Sequence, residues 1–111
     1  MSVAIETLDH IRGETVVFGL RSTPAYDGTE TVTCDIKKAV NGNQVPASSV
    51  ATLLAITPTF SELAWLFTIT AAQSEALGAG SYITDAKVVA DSGAVDYQQP
   101  LLINLDERVT G

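Results

Sequence analysis

The sequence predicts an all-β sandwich of about seven short strands with one short helix between two of them. Three observations lead to this prediction. Apolar and polar residues alternate at period 2 in several segments, turn-forming pairs such as Asp-Gly separate those segments, and a capped helical pattern interrupts them once, near residues 71–77. A chain of 111 residues that is 46% hydrophobic fits one domain, spanning residues 1–111, with a single core.

Four segments carry the strand alternation most clearly. Their predicted core-facing residues are Val16, Phe18 and Leu20; Val32, Cys34 and Ile36; Leu63, Trp65, Phe67 and Ile69; and Val95, Tyr97, Leu101, Ile103 and Leu105. Trp65 is therefore expected in the core between two sheets. Because Pro100 cannot donate a ladder hydrogen bond, the last strand is predicted to lie at a sheet edge or to be bulged there.

Turn signals lie between the predicted strands. The Asp-Gly pair at 27–28 and the Asn-Gly pair at 41–42 suit tight turns, and the segment "ADSG" at 90–93 is predicted to join two strands directly. Between Val45 and Phe60, two prolines and an apolar run leave open whether the chain forms one strand or two.

The segment "TITAAQSEALGAG" predicts the helix and its role. Thr70 can cap the amide of Gln73 while the Gln73 side chain reaches back, as in a capping box. Good helix formers follow, and Gly78 can adopt the left-handed conformation that ends a helix. A helix of this length spans about 10 Å, enough to carry the chain across one end of a sandwich. We therefore predict a crossover from one sheet to the other.

The segment "TITAAQSEALGAGSYITDAKVVADSGAVDYQQPLLINLDERVT" resembles the C-terminal half of small immunoglobulin-like β-sandwich proteins of tailed bacteriophages. Those proteins share a pattern of the form LTAAQxxALxAGxYxxDxxV, followed by a hairpin and a closing strand. "IRGETVVFGL" is similar to the RGDT-type strand of their N-terminal half, whereas "NQVPASSVAT" departs from their usual DLTGA-like turn. The resemblance implies an immunoglobulin-like fold and a virion role, and it brings no catalytic residue.

Charge and hydropathy limit the partners that we expect. Thirteen acidic and six basic residues give a formal net charge of −7, which repels nucleic-acid phosphates. No apolar run approaches the roughly 20 residues of a membrane helix, and "MSVAIETLDHI" lacks the pattern of a secretion signal. We expect a soluble protein that contacts neither nucleic acid nor membrane.

Few residues suggest site chemistry. His10 is expected in a solvated turn, and Cys34 lies on an apolar strand face, where a thiol packs as a small hydrophobe. The carboxylates Asp27 and Glu30, and Asp91 and Asp96, lack the dense spacing of a calcium loop. We therefore predict no catalytic, cofactor-binding or metal-binding residue.

A binding role requires only an accessible surface and no catalytic group. Stacking on sugar rings requires exposed aromatic side chains, and Tyr26 and Tyr97 are the best placed. Apolar residues also occupy positions opposite the predicted core: Val17, Ala64, Leu66 and Leu102. Such a stripe predicts either burial on both faces of a sheet or a subunit interface, and we favour the interface.

These observations predict a non-enzymatic structural protein of a tailed-phage virion. It is expected as a capsid decoration or cement protein, or as a neck or tail accessory protein, present in several copies or as a homo-oligomer and docked on other virion proteins. The alternative is an adhesion or carbohydrate-binding module on a particle or cell surface. Terminal segments are expected to contribute to the contacts.

Overall fold

The computed structural model describes residues 6–21, 25–39, 51–98 and 101–109. The elements are β1 (Glu6–Ile11), β2 (Val16–Leu20), β3 (Thr31–Lys38), β4 (Thr52–Ile56), β5 (Thr59–Ser61), β6 (Ala64–Ile69), α1 (Ala71–Leu77), β7 (Gly80–Val89), β8 (Val95–Tyr97) and β9 (Leu101–Asp106). The chain is thus nearly all β, with one short helix in the described residues. The prediction of an all-β fold with a helix at residues 71–77 is confirmed.

The strands form two sheets that enclose the core. The larger sheet has the order β1-β9-β7-β3-β4, with β8 also paired to β7, and the smaller sheet has the order β2-β6-β5. β1 is parallel to β9, and every other described pair is antiparallel. The architecture is an immunoglobulin-like β-sandwich.

The described residues contain nine strands where the sequence predicted about seven. One of the additional strands comes from the segment that left one strand or two open. β4 pairs with β3 in the larger sheet, and β5, after Pro58, pairs with β6 in the smaller one. The apolar run therefore forms two strands, because the chain changes sheet at residues 57–58.

The last segment is also split, into β8 and β9, and Pro100, where an edge or a bulge was predicted, lies outside the described residues. Lys87 pairs with Tyr97 and Thr84 with Leu101, so the same pairing spans three residues along β7 and four from β8 to β9. Because successive side chains of a strand point to opposite faces, one extra residue reverses which of them face the core. Val95 and Tyr97 are consequently 54% and 64% exposed, and their predicted place in the core is wrong.

The turn between β5 and β6 explains why a second residue that was predicted in the core lies outside it. Ser61 pairs with Ala64, so Glu62 and Leu63 form a two-residue hairpin turn, and their φ angles are +50° and +63°. Positive φ at both central residues matches the right-handed twist of a hairpin. Leu63 lies in this turn and is 55% exposed, so it does not contribute to the core as predicted.

The predicted crossover helix is present, with its cap. Thr70 Oγ1 accepts the Gln73 amide at 3.1 Å, and Gln73 Oε1 accepts the Thr70 amide at 2.9 Å. Gly78 follows at φ +84°, where an L side chain would be strained. α1 connects β6 of the smaller sheet to β7 of the larger one, which confirms the crossover.

The turn predictions have mixed outcomes. Gly93 N donates to Ala90 O at 2.8 Å and closes the β7–β8 hairpin, as predicted. The Asp-Gly pair at 27–28 lies between β2 and β3, which belong to different sheets, so it forms a connection across the sandwich and not a hairpin. The Asn-Gly pair at 41–42 lies outside the described residues.

The core lies between the inner faces of the two sheets. Its largest fully buried side chains are Phe67, Ile36, Ile69, Ile103, Leu105 and Val16. Phe67 stacks on Phe18 with ring centroids 5.1 Å apart. Trp65 packs against this core but is only half-buried, so its predicted central position is wrong.

Candidate functional site

The residues that first suggest chemistry lie apart in the fold. His10 lies on β1 and Cys34 on β3, and strands β9 and β7 separate them in the larger sheet. Within residues 6–21, 25–39, 51–98 and 101–109, no group of three or more His, Cys, Asp and Glu side chains could hold a metal ion. The described residues therefore bring no such set together.

His10 is part of a local contact at the start of the β1–β2 turn. It is half-buried on a strand and not in a solvated turn as predicted. Its Nδ1 lies 3.4 Å from Glu14 Oε1, which also accepts the Ile11 amide at 2.7 Å. The hydrogen bond from Ile11, and secondarily the one from His10, lowers the pKa of the Glu14 carboxyl. Glu14 thereby stabilises the turn.

Cys34 packs in the core as predicted. Its Sγ lies 3.0 Å from Thr84 Oγ1, and Thr84 Oγ1 donates to Asp35 O at 2.8 Å. Burial raises the pKa of the Cys34 thiol to about 11. Because the thiolate is the reactive form, this thiol is protected from nucleophilic chemistry at neutral pH.

Glu30 organises the loop that precedes β3. Its carboxylate accepts the amides of Asp27 and Gly28, each at 3.2 Å, and the indole N–H of Trp65 at 3.0 Å. Asp27 in turn accepts the backbone and hydroxyl of Thr29, and the hydroxyl contact is the main cause that lowers the pKa of Asp27. The two carboxylates thus bind the loop itself and explain why Trp65 lies at the margin of the core.

Asp91 and Asp96 do not form a carboxylate pair in the hairpin. Both are exposed, and Asp96 Oδ2 accepts Gln98 Nε2 at 2.9 Å. Tyr26 is 8% exposed, so the expectation that it is available for stacking is wrong, whereas Tyr97 is 64% exposed, with Lys87 Nζ 6.0 Å from its ring centroid. Only one of the two tyrosines could therefore contact a sugar ring.

A polar cluster that the sequence did not predict joins three parts of the chain at the helix. Ser74 is fully buried, and its hydroxyl donates to Glu14 O at 2.7 Å and accepts the Gly13 amide at 2.9 Å. Glu75 binds Arg12 Nε at 2.9 Å and also contacts Arg108. This cluster attaches α1 to the β1–β2 turn and to the residues after β9. Ser74, one of several polar residues in a short helix, gives no sequence signal of such a role.

The outer face of the smaller sheet is the best candidate for a binding surface. We define the uncharged face as the outward positions of this sheet: Val17, Gly19, Thr59, Ser61, Ala64, Leu66 and Thr68. No residue of β2, β5 or β6 is charged. Val17 is 54% exposed, and Leu66 is half-buried beside Gly19. Interface cores are depleted in charge in the same way.

The larger sheet has a different outer face. Asp35 lies directly opposite Asp85, and Lys87 pairs with Thr33 on the same side. Of the four outward apolar residues predicted from the sequence, Val17 is exposed and Leu66 is partly so, but Ala64 and Leu102 are 1% and 5% exposed. The predicted apolar stripe therefore exists only on the smaller sheet.

Comparison with known proteins shows the fold. No protein-family model matches the chain, and no curated protein matches it. CopC from Methylosinus trichosporium OB3b is similar in structure, with a TM-score of 0.57 and 14% identity, over 97% of this chain and 90% of that chain. The NK cell receptor Nkp44 aligns with a TM-score of 0.44 and 14% identity, over 96% of this chain and all of that chain.

Among the described residues, no helix is long and apolar enough to cross a membrane.

Proposed function

We propose that this protein is a non-enzymatic structural component of a tailed-phage virion, where it docks on other virion proteins in several copies. The observation that carries the proposal is the uncharged face, whose positions other than Ala64 and Leu66 are exposed in a chain with a net charge of −7. Such a face can bind a partner protein through shape complementarity and apolar contacts, without catalytic or ligand-binding groups. The sequence pattern of the capped crossover helix supports the choice of a virion protein.

The arrangement of chemical groups agrees with a docking role. Cys34 is buried with a raised pKa, and Glu30 and Asp27 bind their own loop. These groups stabilise the domain and leave its surface for contacts. Capsid decoration is one place for such a domain, because a site on the outer surface of a particle makes no contact with DNA. A position at the neck or tail is the other.

The test is to locate the protein in purified particles. Quantitative mass spectrometry of gradient-purified virions should find the chain in a fixed ratio to the capsid, portal or tail proteins, and an electron-microscopy map should show its sandwich at a repeated position. Absence from particles produced in cells that express the protein would overturn the proposal.

Variants can separate docking from folding. Leu66→Glu places a charge in the middle of the uncharged face, and Thr33→Glu places the same charge on the outer face of the larger sheet. We expect only the first to reduce incorporation, with both remaining folded. Glu6 and Thr7 belong to β1, so the terminal contribution is tested by deleting residues 1–5, which leaves β1 intact.

The alternative, a carbohydrate-binding module, has one observation in its favour, the exposed ring of Tyr97. A glycan array read with the wild type and with Tyr97→Ala separates the two proposals. Binding that Tyr97→Ala abolishes would support the alternative, and no binding to any glycan would leave the virion proposal.

A further inference from the structure

We infer that four charged side chains tether the residues after β9 to the sandwich, and that rising ionic strength releases these residues. We define the salt-bridge network as Arg12, Glu75, Glu107 and Arg108. Its members come from the β1–β2 turn, from α1 and from the residues that follow β9. The position of the chain beyond β9 therefore depends on charge.

Backbone pairing ends at the last residue of β9. β9 pairs with β7 on one side and with β1 on the other, and its last residue, Asp106, lies opposite Ile11. Arg12 N then donates to Asp106 O at 2.8 Å. Among the described residues, no backbone-to-backbone hydrogen bond joins residues 107–109 to another part of the chain. Side chains therefore position these three residues.

Charged side chains make the contacts that hold residues 107–109. Glu75 Oε2 lies 2.9 Å from Arg12 Nε, and Arg12 Nη1 lies 3.1 Å from Glu107 Oε2. Arg108 Nη1 forms an ion pair with Glu75 Oε1 and donates to Arg12 O at 3.4 Å. Val109 is fully exposed and adds no packing. Electrostatic attraction is thus the main force on this segment.

The β1–β2 turn leaves space for the network at Gly13. A Cβ atom at this position would lie 3.2 Å from Glu75 Oε1 and 3.4 Å from Arg108 Nη1, and glycine adopts the φ angle of +95° without strain. The same turn is fixed to α1, because Gly13 N donates to Ser74 Oγ at 2.9 Å. The helix that carries Glu75 is therefore held in place, and Arg108 is the partner that can leave.

The network is weak enough to open. Its side chains are partly exposed to water, from 32% for Arg12 to 59% for Glu107. Ion pairs at such exposure contribute little each, because water weakens the attraction and fixing two long side chains costs entropy. Salt screens them further, since the Debye length falls from about 10 Å at 0.1 M to about 3 Å at 1 M. We expect the tether to hold at low ionic strength and to open at high ionic strength.

Tethering limits what the residues after β9 can reach. In the tethered state, Arg108 lies against Glu75 of α1 and the backbone of Arg12, so the chain leaves β9 toward the helix. In the released state, residues 107–109 extend from Asp106 without this constraint. The inference goes beyond the proposed function and does not depend on it, because release is measured on the purified chain.

Trypsin measures the release at a single peptide bond. The protease binds the arginine side chain itself, so cleavage after Arg108 requires that this side chain leave Glu75. At about 50 mM NaCl, Glu75→Gln should accelerate this cleavage about fivefold or more, read by mass spectrometry of the intact chain. Cleavage after Lys87, in the interior strand β7, reports unfolding of the domain and should not change. The matched control is Glu62→Gln in an exposed turn, which should alter cleavage after Arg108 by less than about twofold.

Salt provides the second test. At about 1 M NaCl, the ratio of the cleavage rates of Glu75→Gln and the wild type should fall below about twofold, because the wild type is then released as well. In the wild type alone, the backbone ¹⁵N order parameter of Arg108 should fall from about 0.85 at low salt to below about 0.6 at about 1 M NaCl.

Four results would each overturn the inference. They are equal cleavage after Arg108 in Glu75→Gln and the wild type at low salt, a ratio of rates that salt does not change, and an order parameter of Arg108 that salt does not change. The fourth is acceleration after Lys87 by the same factor as after Arg108, which would show that Glu75→Gln unfolds the whole domain instead of releasing its end.

Discussion

Outward-facing apolar residues have opposite environments on the interior strands of the larger sheet and on the edge strand β2 of the smaller one. On the larger sheet, the register partners Ile83 and Leu102 are 2% and 5% exposed, although they lie outside the cluster that forms the core. On the smaller sheet, Val17 faces outward and is 54% exposed. An apolar residue opposite the core is therefore buried on interior strands of the larger sheet and open to solvent at the edge strand of the smaller one. Alternation in the sequence does not distinguish the two cases.

The largest expected effect tests this contrast directly. Leu102→Ala should lower the free energy of unfolding by about 2–5 kcal/mol, because it removes buried methyl groups and leaves a cavity. Val17→Ala should change it by less than about 0.5 kcal/mol, since the side chain is already in water. Urea denaturation of both variants measures the difference. Equal losses would show that the outer faces are equivalent.

The inner face of the larger sheet gives a pH-dependent prediction. The Cys34 thiol keeps its proton to about pH 11 in the folded chain, whereas its ordinary pKa is 9.0. Between these values the unfolded chain binds fewer protons, so the free energy of unfolding falls as pH rises, by on the order of 2–3 kcal/mol. Denaturation at pH 7 and at pH 11 should show a smaller decrease for Cys34→Ala than for the wild type. The same decrease in both would contradict the assignment.

The helix α1, which crosses between the sheets, is expected to contribute less to the free energy of unfolding. Thr70→Ala removes one side of the capping box and should cost about 0.5–2 kcal/mol. Thr70→Ser keeps the hydroxyl and serves as the control. Thermal denaturation of both variants measures the effect, and a Thr70→Ala protein as stable as Thr70→Ser would show that the cap does not limit the helix.

The smallest expected effect concerns the margin of the smaller sheet. Glu30→Gln replaces the charged acceptor of the Trp65 indole N–H with a neutral one and should lower the free energy of unfolding by about 1 kcal/mol. Glu62→Gln removes the same charge from an exposed turn and should be close to neutral. Tryptophan fluorescence should shift to longer wavelength only in Glu30→Gln. An unchanged emission maximum in that variant would indicate that Glu30 does not hold the indole in place.

Structural features that depend only on residues close together in sequence were predictable. The capping box depends on Thr70 and Gln73, three residues apart, and the sequence specifies it completely. The positive φ at Glu62 and Leu63 was not predictable, because the flanking strands impose the turn on residues that do not favour it. Alternation treated residues 95–105 as one strand, so it did not predict the change of register between β8 and β9 that turns Val95 and Tyr97 outward.

The binding surface was only partly predictable, because some of its features depend on residues that are distant in sequence. Leu66 and Val17 were recognised as outward residues from alternation alone, which is a local property. The marginal place of Trp65 depends on Glu30, which lies 35 residues away in sequence. The position of β2 at an edge of the described smaller sheet depends on the order of the strands, so it became visible only with the topology.

The parallel pairing of β1 with β9 has a mechanical consequence. The first described residue of β1 pairs with the start of β9, and Ile11 pairs with Asp106, so the chain leaves this pair at opposite ends. A force that draws the two termini apart therefore loads the hydrogen bonds between these strands together, in shear, and not one after another. The β7–β8 hairpin, pulled from its own open end, would peel apart sequentially. We expect single-molecule pulling through the termini to require a higher rupture force than pulling through Lys87 and Tyr97, and a lower one would show that β1 carries little load.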